Sequence, residues 1–141
     1  MRKGRRSGCP VSVSLELFGD RWSLLVLRDI LFGGRRYYGE FLDAGEGIST
    51  NILADRLERL EAAGLLTRTR DPGDRKRYEY GLTEKGLDTL PILIEMILWG
   101  AIHDPETAAP PDVVRRIRTE REDLIEEIRS RWYDSLSRAR P

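Results

Sequence analysis

The chain is poor in the residues that enzymes, metal sites and secreted scaffolds are built from. It holds one Cys and one His in 141 residues. A single Cys cannot close an intramolecular disulfide. Cys9 and His103, with no clustered ligands beside them, do not make a metal site. No Gly-rich phosphate loop, nucleophile motif or Ser/His/Asp arrangement is present, so no catalytic residue, enzymatic activity or cofactor is expected. No uninterrupted apolar run approaches the about 18 residues of a membrane span. The basic first residues lead into no apolar core and no small-residue cleavage site, so a signal peptide is not expected either. These absences point to the cytoplasm and away from a membrane partner. Excess charge is lacking too: 24 basic and 24 acidic residues cancel. That balance argues weakly against a nucleic-acid partner, and no internal repeat is visible.

Distribution matters more than the sum. Arg2, Lys3, Arg5 and Arg6 open the chain, Arg35 and Arg36 form a second basic cluster, and Arg75, Lys76 and Arg77 a third. The acids gather later, in Glu120, Glu122, Asp123, Glu126 and Glu127. The expected organisation is a basic mobile arm over 1–8, a domain over 9–102, a Pro-rich linker over 103–111, and a C-terminal helix and tail over 112–141. The length and the 40% hydrophobic content suit one small domain with a real core.

Local signals predict a mainly α fold with one small β-hairpin. Cys9-Pro10 opens a short helix near 11–18, ended by Gly19-Asp20. Asp20 is a natural N-cap for a helix near 22–32, apolar on nearly all sides and therefore buried. A short third helix fits 37–44, weakened by Gly39. Gly45 and Gly47 mark a turn, and Ser49 caps a helix to about 63 with Leu53, Leu57 and Leu60 on one stripe. Two helices joined by such a turn are a helix-turn-helix. Strands at 65–70 and 77–82 flank the turn Asp71-Pro72-Gly73-Asp74 and form a wing. Thr83 then starts a helix to about 102, bent by Pro91, and a last helix covers 112–137.

The helix after Ser49 is the candidate nucleic-acid reader. Its leucines fix the buried side, which turns Asn51, Asp55 and Glu58 outward with Arg56 and Arg59 on the flanks. Asn and Arg suit base edges in the major groove, and Asp55 suits a cytosine N4 donor. The free N–H groups at Ser49 and Thr50 suit a phosphate. The plain alternative is an amphipathic core helix with a solvated face, and outward acids limit groove entry to the first turns. Arg75, Lys76 and Arg77, read as the wing tip, suit phosphate contact, which positions without reading sequence. Cys9 stands before a helix start near Arg5 and Arg6, where thiolate is favoured; its plain reading is a small packing residue. Ile94, Ile97 and Leu98 carry apolar surface that one small domain cannot cover, which suits a dimer interface. A small-molecule pocket using Trp22, Trp99 and Tyr37 is the other use of that surface.

These residues together resemble the HxlR-type family of winged helix-turn-helix transcription regulators. The resemblance runs from Cys9 to about Gly100. It is carried by Cys9-Pro10-Val11, by Gly19-Asp20-Arg21-Trp22-Ser23 with the Leu24 to Arg28 stretch, and by Gly47-Ile48-Ser49. Leu53-Ala54-Asp55-Arg56-Leu57, Gly81-Leu82-Thr83-Glu84-Lys85-Gly86, Leu90-Pro91 and Trp99-Gly100 extend it. It implies a winged helix with added N- and C-terminal dimerisation helices. It implies a homodimer on a palindromic double-stranded operator, with Thr50, Asn51 and Arg56 where relatives meet DNA. It also implies an oxidant-sensing use of Cys9 in some members. Two rival readings stay open: a regulator switched by a small-molecule effector, and a winged-helix protein-interaction module without DNA.

Overall fold

The computed structural model describes residue 4 and residues 6–138. Of the basic arm, Arg2, Lys3 and Arg5 lie outside the described residues. The order is α1 (Pro10–Phe18), α2 (Arg21–Leu31), α3 (Tyr38–Leu42), α4 (Thr50–Ala62), β1 (Leu66–Asp71), β2 (Asp74–Leu82), α5 (Glu84–Leu87), α6 (Leu90–His103), α7 (Pro111–Thr119) and α8 (Arg121–Arg138). The chain through Thr83 is one compact unit, and the chain from Glu84 is a second. The Pro-rich stretch 103–111, read from sequence as the linker, falls inside the second unit.

In the first unit α2 is the buried scaffold. Asp20 caps it, accepting from the amides of Trp22 at 2.9 Å and Ser23 at 3.1 Å and from the Ser23 hydroxyl at 2.6 Å. Val26, Leu27, Ile30 and Leu31 of α2 pack with Phe41 of α3 and with Leu53, Leu57 and Leu60 of α4 in one core. Arg28 ties the far end of α2 to the turn before α4, donating to Asp29 at 2.8 Å and to Glu46 at 2.9 Å. Gly45 and Gly47 in that turn have φ of 90° and 75°, a conformation that glycine adopts without a Cβ penalty. The wing is an antiparallel pair with Leu66 opposite Leu82, Arg68 opposite Tyr80 and Arg70 opposite Tyr78. A one-residue bridge from Tyr37 to Glu79 lays the segment before α3 along its edge.

Three expectations need correction. The second strand begins at Asp74, not 77, so Arg75, Lys76 and Arg77 lie on the strand and Pro72-Gly73 alone forms the tip. Pro91 does not bend a long helix. It stands in the first turn of α6, where its missing N–H costs no bond, and the break falls before it. The last helix is two, α7 and α8, separated at Glu120 with φ −138°.

The second unit buries Leu87, Leu90, Leu93 and Ile94 from its first two helices and Ile117, Leu124, Ile128 and Trp132 from its last two. Ile94, read from sequence as interface surface, is only 1% exposed, because it points into this core. The open stripe of α6 is instead Ile92, Met96, Trp99 and Ile102, with Trp99 69% exposed. Ile97 and Leu98 are half-buried beside it. Glu84–His103 spans 20 residues at mean hydropathy 1.3, with a third of it buried, long and apolar enough to cross a membrane by length and composition. Asp88 and Glu95 punctuate the stretch, so it holds no uninterrupted apolar run of that length.

Asp20 does two jobs, since its carboxylate also accepts from the Arg56 Nε of α4 at 2.8 Å. Burial pushes this carboxyl up, but the bonds from Ser23, Arg56 and the two amides outweigh it and hold it far below the usual carboxylate range. Asp20→Ala is therefore expected to lower unfolding free energy by about 1–3 kcal/mol. Asp20→Asn, which keeps a cap but not the charge, should lose less. A depressed carboxylate contributes fully above its unfolded value near about pH 4, and the contribution is lost as pH falls below it. Urea melts of the wild type and Asp20→Asn between pH 7 and 3 check this: the wild type should lose more stability on acidification.

Candidate nucleic-acid interface

The start of α4 is open to solvent. Ser49 caps it, accepting from the Ile52 amide at 3.3 Å, and Ser49, Thr50 and Asn51 are all exposed. Leu53, Leu57 and Leu60 hold the other side, with none more than 1% exposed. The helix thus presents a short polar corner made of its N-cap and first turn, where unbonded N–H groups and the positive end of the dipole also sit. Asp55 is exposed one turn later.

Arg56 does not stand with these residues. Its guanidinium turns back to Asp20 at 2.8 Å and also bonds Asp55, leaving the side chain 19% exposed. Hydrogen bonds to Asp20 are the first cause of its raised pKa. Arg56 therefore fastens α4 to the cap of α2. The sequence shows an arginine on a helix flank, and nothing in its spacing announces a partner 36 positions earlier.

The wing brings cations to both of its strands. Arg75, Lys76 and Arg77 are exposed on β2, and Arg68 and Arg70 on β1. Arg68 and Arg70 flank the ring of Tyr78 at 4.3 and 5.0 Å. Arg70 also donates to the Arg75 carbonyl at 2.5 Å. The sequence reading passed over Arg68 and Arg70, although their two-residue spacing puts both on one face of a strand. Arg77 lies over the ring of Tyr37 at 3.4 Å, a cation–π contact. Tyr37 in turn donates to Asp71 at 2.9 Å, and that bond is the main reason its phenol is held above its ordinary value.

Tyr38 links the two elements. Its hydroxyl donates to the Thr50 carbonyl at 2.9 Å, in the first turn of α4. Its ring lines a cleft of about 650 Å³ together with Tyr37, Tyr78 and Tyr80 and with Lys76 and Arg77 of the wing. Of Trp22, Trp99 and Tyr37, the residues the sequence offered for a pocket, only Tyr37 lines this cleft. No sequence pattern marks the bond of Tyr38 to Thr50.

Cys9 lies apart from these elements, at the N-cap of α1, and is exposed. The amides of Ser12 and Val11 hold its thiol below the ordinary value, against a smaller opposing effect of burial. The helix start supplies this effect and Arg6 takes no part in it; Arg5 is outside the described residues. His103 ends α6 with its ring 4.8 Å from that of Trp99. Among the described residues no group of three or more His, Cys, Asp or Glu side chains comes together to hold a metal.

Comparison with known proteins agrees with this geometry. The model of the HxlR-like helix-turn-helix family matches residues 17–107. An uncharacterised HTH-type transcriptional regulator of Mycobacterium tuberculosis is 39% identical over 111 residues, covering 79% of this chain and 69% of its own. Among solved structures, PA1607, a candidate transcription factor, is 33% identical at a TM-score of 0.67, covering 75% of this chain and 74% of its own. The redox regulator HypR in its oxidised form is 29% identical at a TM-score of 0.60, covering 67% of this chain and 97% of its own. The fold is a winged helix, and the relatives are regulators, not enzymes. With polar helix start and cationic wing on one unit, and with the family model spanning most of its length, the chain belongs to the HxlR-like helix-turn-helix family of DNA-binding transcription regulators.

Proposed function

We propose that this chain is a homodimeric repressor that occupies a palindromic operator and is released from it by oxidation of Cys9. The observation that carries the DNA reading is the exposed corner Ser49-Thr50-Asn51, capped and fixed from behind by three buried leucines. A corner of that size enters a major groove, with Asn51 reaching a base edge and the Ser49 and Thr50 amides a phosphate. The wing cations, Arg75, Lys76 and Arg77 with Arg68 and Arg70, take flanking phosphates. Asp55 borders the contact, and Arg56 keeps α4 in place through Asp20. Binding of chromosomal DNA implies a cytoplasmic location.

The dimer reading rests on the stripe Ile92, Met96, Trp99 and Ile102, with Ile97 and Leu98 at its margin. Exposed apolar patches of this kind mark interaction surfaces. Two copies then set two α4 helices about one helical turn of DNA apart, or a multiple of it. The thiol reading rests on an exposed Cys9 whose acidity is raised by a helix start, and on the likeness to a redox regulator. Diamide takes two electrons and two protons from a pair of thiols. Its product here is an intersubunit disulfide or a mixed disulfide with a small thiol, since each chain holds one Cys.

These readings give three expected outcomes. In mobility-shift titrations at several salt concentrations, Asn51→Ala should relax base preference at one operator position, a loss of about 1–3 kcal/mol there. Arg75→Ala with Lys76→Ala should weaken all sequences alike and flatten the salt slope. Identical behaviour of the two variants would sink this division. In sedimentation at micromolar concentration the wild type should run as a dimer and Trp99→Glu as a monomer; a monomeric wild type refutes the interface. Diamide should lower operator affinity in the wild type and leave Cys9→Ser unchanged, with Cys9 alkylated at neutral pH faster than the same thiol in an unstructured peptide. Equal affinity before and after diamide would return Cys9 to a packing role.

A further inference from the structure

We infer that the cleft between α3 and the wing is a binding site for a flat aromatic organic cation. Its volume of about 650 Å³ falls in the range of small-molecule sites, roughly 300–1,000 Å³. Its walls carry four phenol rings, those of Tyr37, Tyr38, Tyr78 and Tyr80. Aromatic faces attract cations, because the ring quadrupole is negative above and below its plane. The cleft already shows this preference: Arg77 of the protein itself rests 3.4 Å over Tyr37.

Charge points the same way. Glu40, Asp43 and Asp74 line the cleft, against Lys76 and Arg77. Among the described residues none of these five takes part in an ion pair. The Glu40 carboxylate accepts from the amides of Arg36 and Tyr37, and Asp74 from that of Lys76, so among the described residues no side-chain cation pairs with either acid. An aromatic anion would meet three carboxylates. An aromatic cation meets three carboxylates against two cations, and tyrosine rings of which Tyr37 and Tyr78 already hold arginines of the wing.

Occupancy would reach both DNA-facing elements. A cation settling on Tyr37 displaces Arg77, one of the wing cations. A ring packed on Tyr38 presses on the residue whose hydroxyl holds Thr50 at the start of α4. This regulatory consequence rests on the DNA reading proposed above; the binding itself does not.

Rhodamine 6G, a cationic xanthene dye, and fluorescein, its anionic counterpart of similar shape, separate charge from size. Fluorescence anisotropy without DNA should show one saturable rhodamine 6G site per chain, with fluorescein at least about tenfold weaker. Asp43→Asn with Asp74→Asn should weaken the cationic dye by about tenfold, while Arg77→Ala, which vacates the face of Tyr37, should tighten it several-fold. An unfolded variant also takes up apolar dyes, so the gain in Arg77→Ala counts only with one saturable site per chain and a wild-type melting temperature. Equal binding of the two dyes, or an Arg77→Ala variant that binds no tighter, overturns the site. In mobility shifts rhodamine 6G should release wild-type protein from its operator. Tyr38→Phe, which keeps the ring and loses the bond to Thr50, should bind the dye as well but release less readily. Dye binding with no operator binding at all would remove the DNA reading and leave the site. Operator binding without dye binding would do the reverse.

Discussion

The placement of α4 depends on one carboxylate. Asp20 closes the N-terminus of α2 and grips Arg56 in the middle of α4, so a single side chain sets both the start of the scaffold helix and the position of the helix that faces solvent. Apart from it, α4 is held by its leucines, by the Tyr38 hydroxyl on the Thr50 carbonyl and by Arg68 on Glu61. Leucine packing resists separation strongly but resists sliding along the helix axis poorly, because neighbouring apolar contacts are nearly equivalent. A charged hydrogen bond with fixed geometry adds the missing constraint. A second network, Arg21 and Arg28 on Glu46 with Arg28 also on Asp29, does the same for the turn between α3 and α4. Burial pushes the Asp29 carboxyl up despite Arg28 beside it, while the bond from Arg28 holds Glu46 below its ordinary value.

The wing is joined to the rest of its unit in a different manner. The segment before α3 runs along the hairpin, with the Tyr80 amide donating to the Arg36 carbonyl at 2.7 Å and Arg36 paired to Glu79 at 3.0 Å. Phe41 meets Tyr80 edge to face at 6.2 Å, which fastens the base of the hairpin to α3. Beyond that base the contacts are cations on tyrosine rings, Arg68 and Arg70 on Tyr78 and Arg77 on Tyr37, together with the hydrogen bond from Tyr37 to Asp71 beside the tip. The cation contacts are weak singly and exposed to water. The segment before α3 therefore fastens the wing at both its base and its tip.

Much of this architecture was legible in the sequence, because its signals are local. Asp20 and Ser49 are caps with the right neighbours, the leucines of α4 repeat at helical spacing, and Asp71-Pro72-Gly73-Asp74 is a strong turn. The family followed from those pieces read together. What the sequence hid is long-range. Arg56 looked like a flank residue because its partner lies on another helix. Ile94 looked like surface because a helix apolar on every side does not say which stripe its own chain covers. The break at Glu120 carries no Gly or Pro, so nothing local marks it. The strand start at Asp74 was missed because a run of exposed cations resembles a loop until its pairing partners are known. The cleft was invisible for the same reason: its tyrosines come from two segments some forty positions apart, and only the pairing of Tyr37 with Glu79 brings them together.

Helix α1 contributes no buried residue to its unit, and its Val11 and Leu15 are 67% and 57% exposed. Nine residues are too few to stay helical in water on propensity alone. Yet the helix start is what lowers the Cys9 thiol, so that effect lasts only while the first turn is formed. Whatever packs on Val11 and Leu15 would hold that turn in place, and so would act on the thiol at a distance, through the melting equilibrium of two turns of helix.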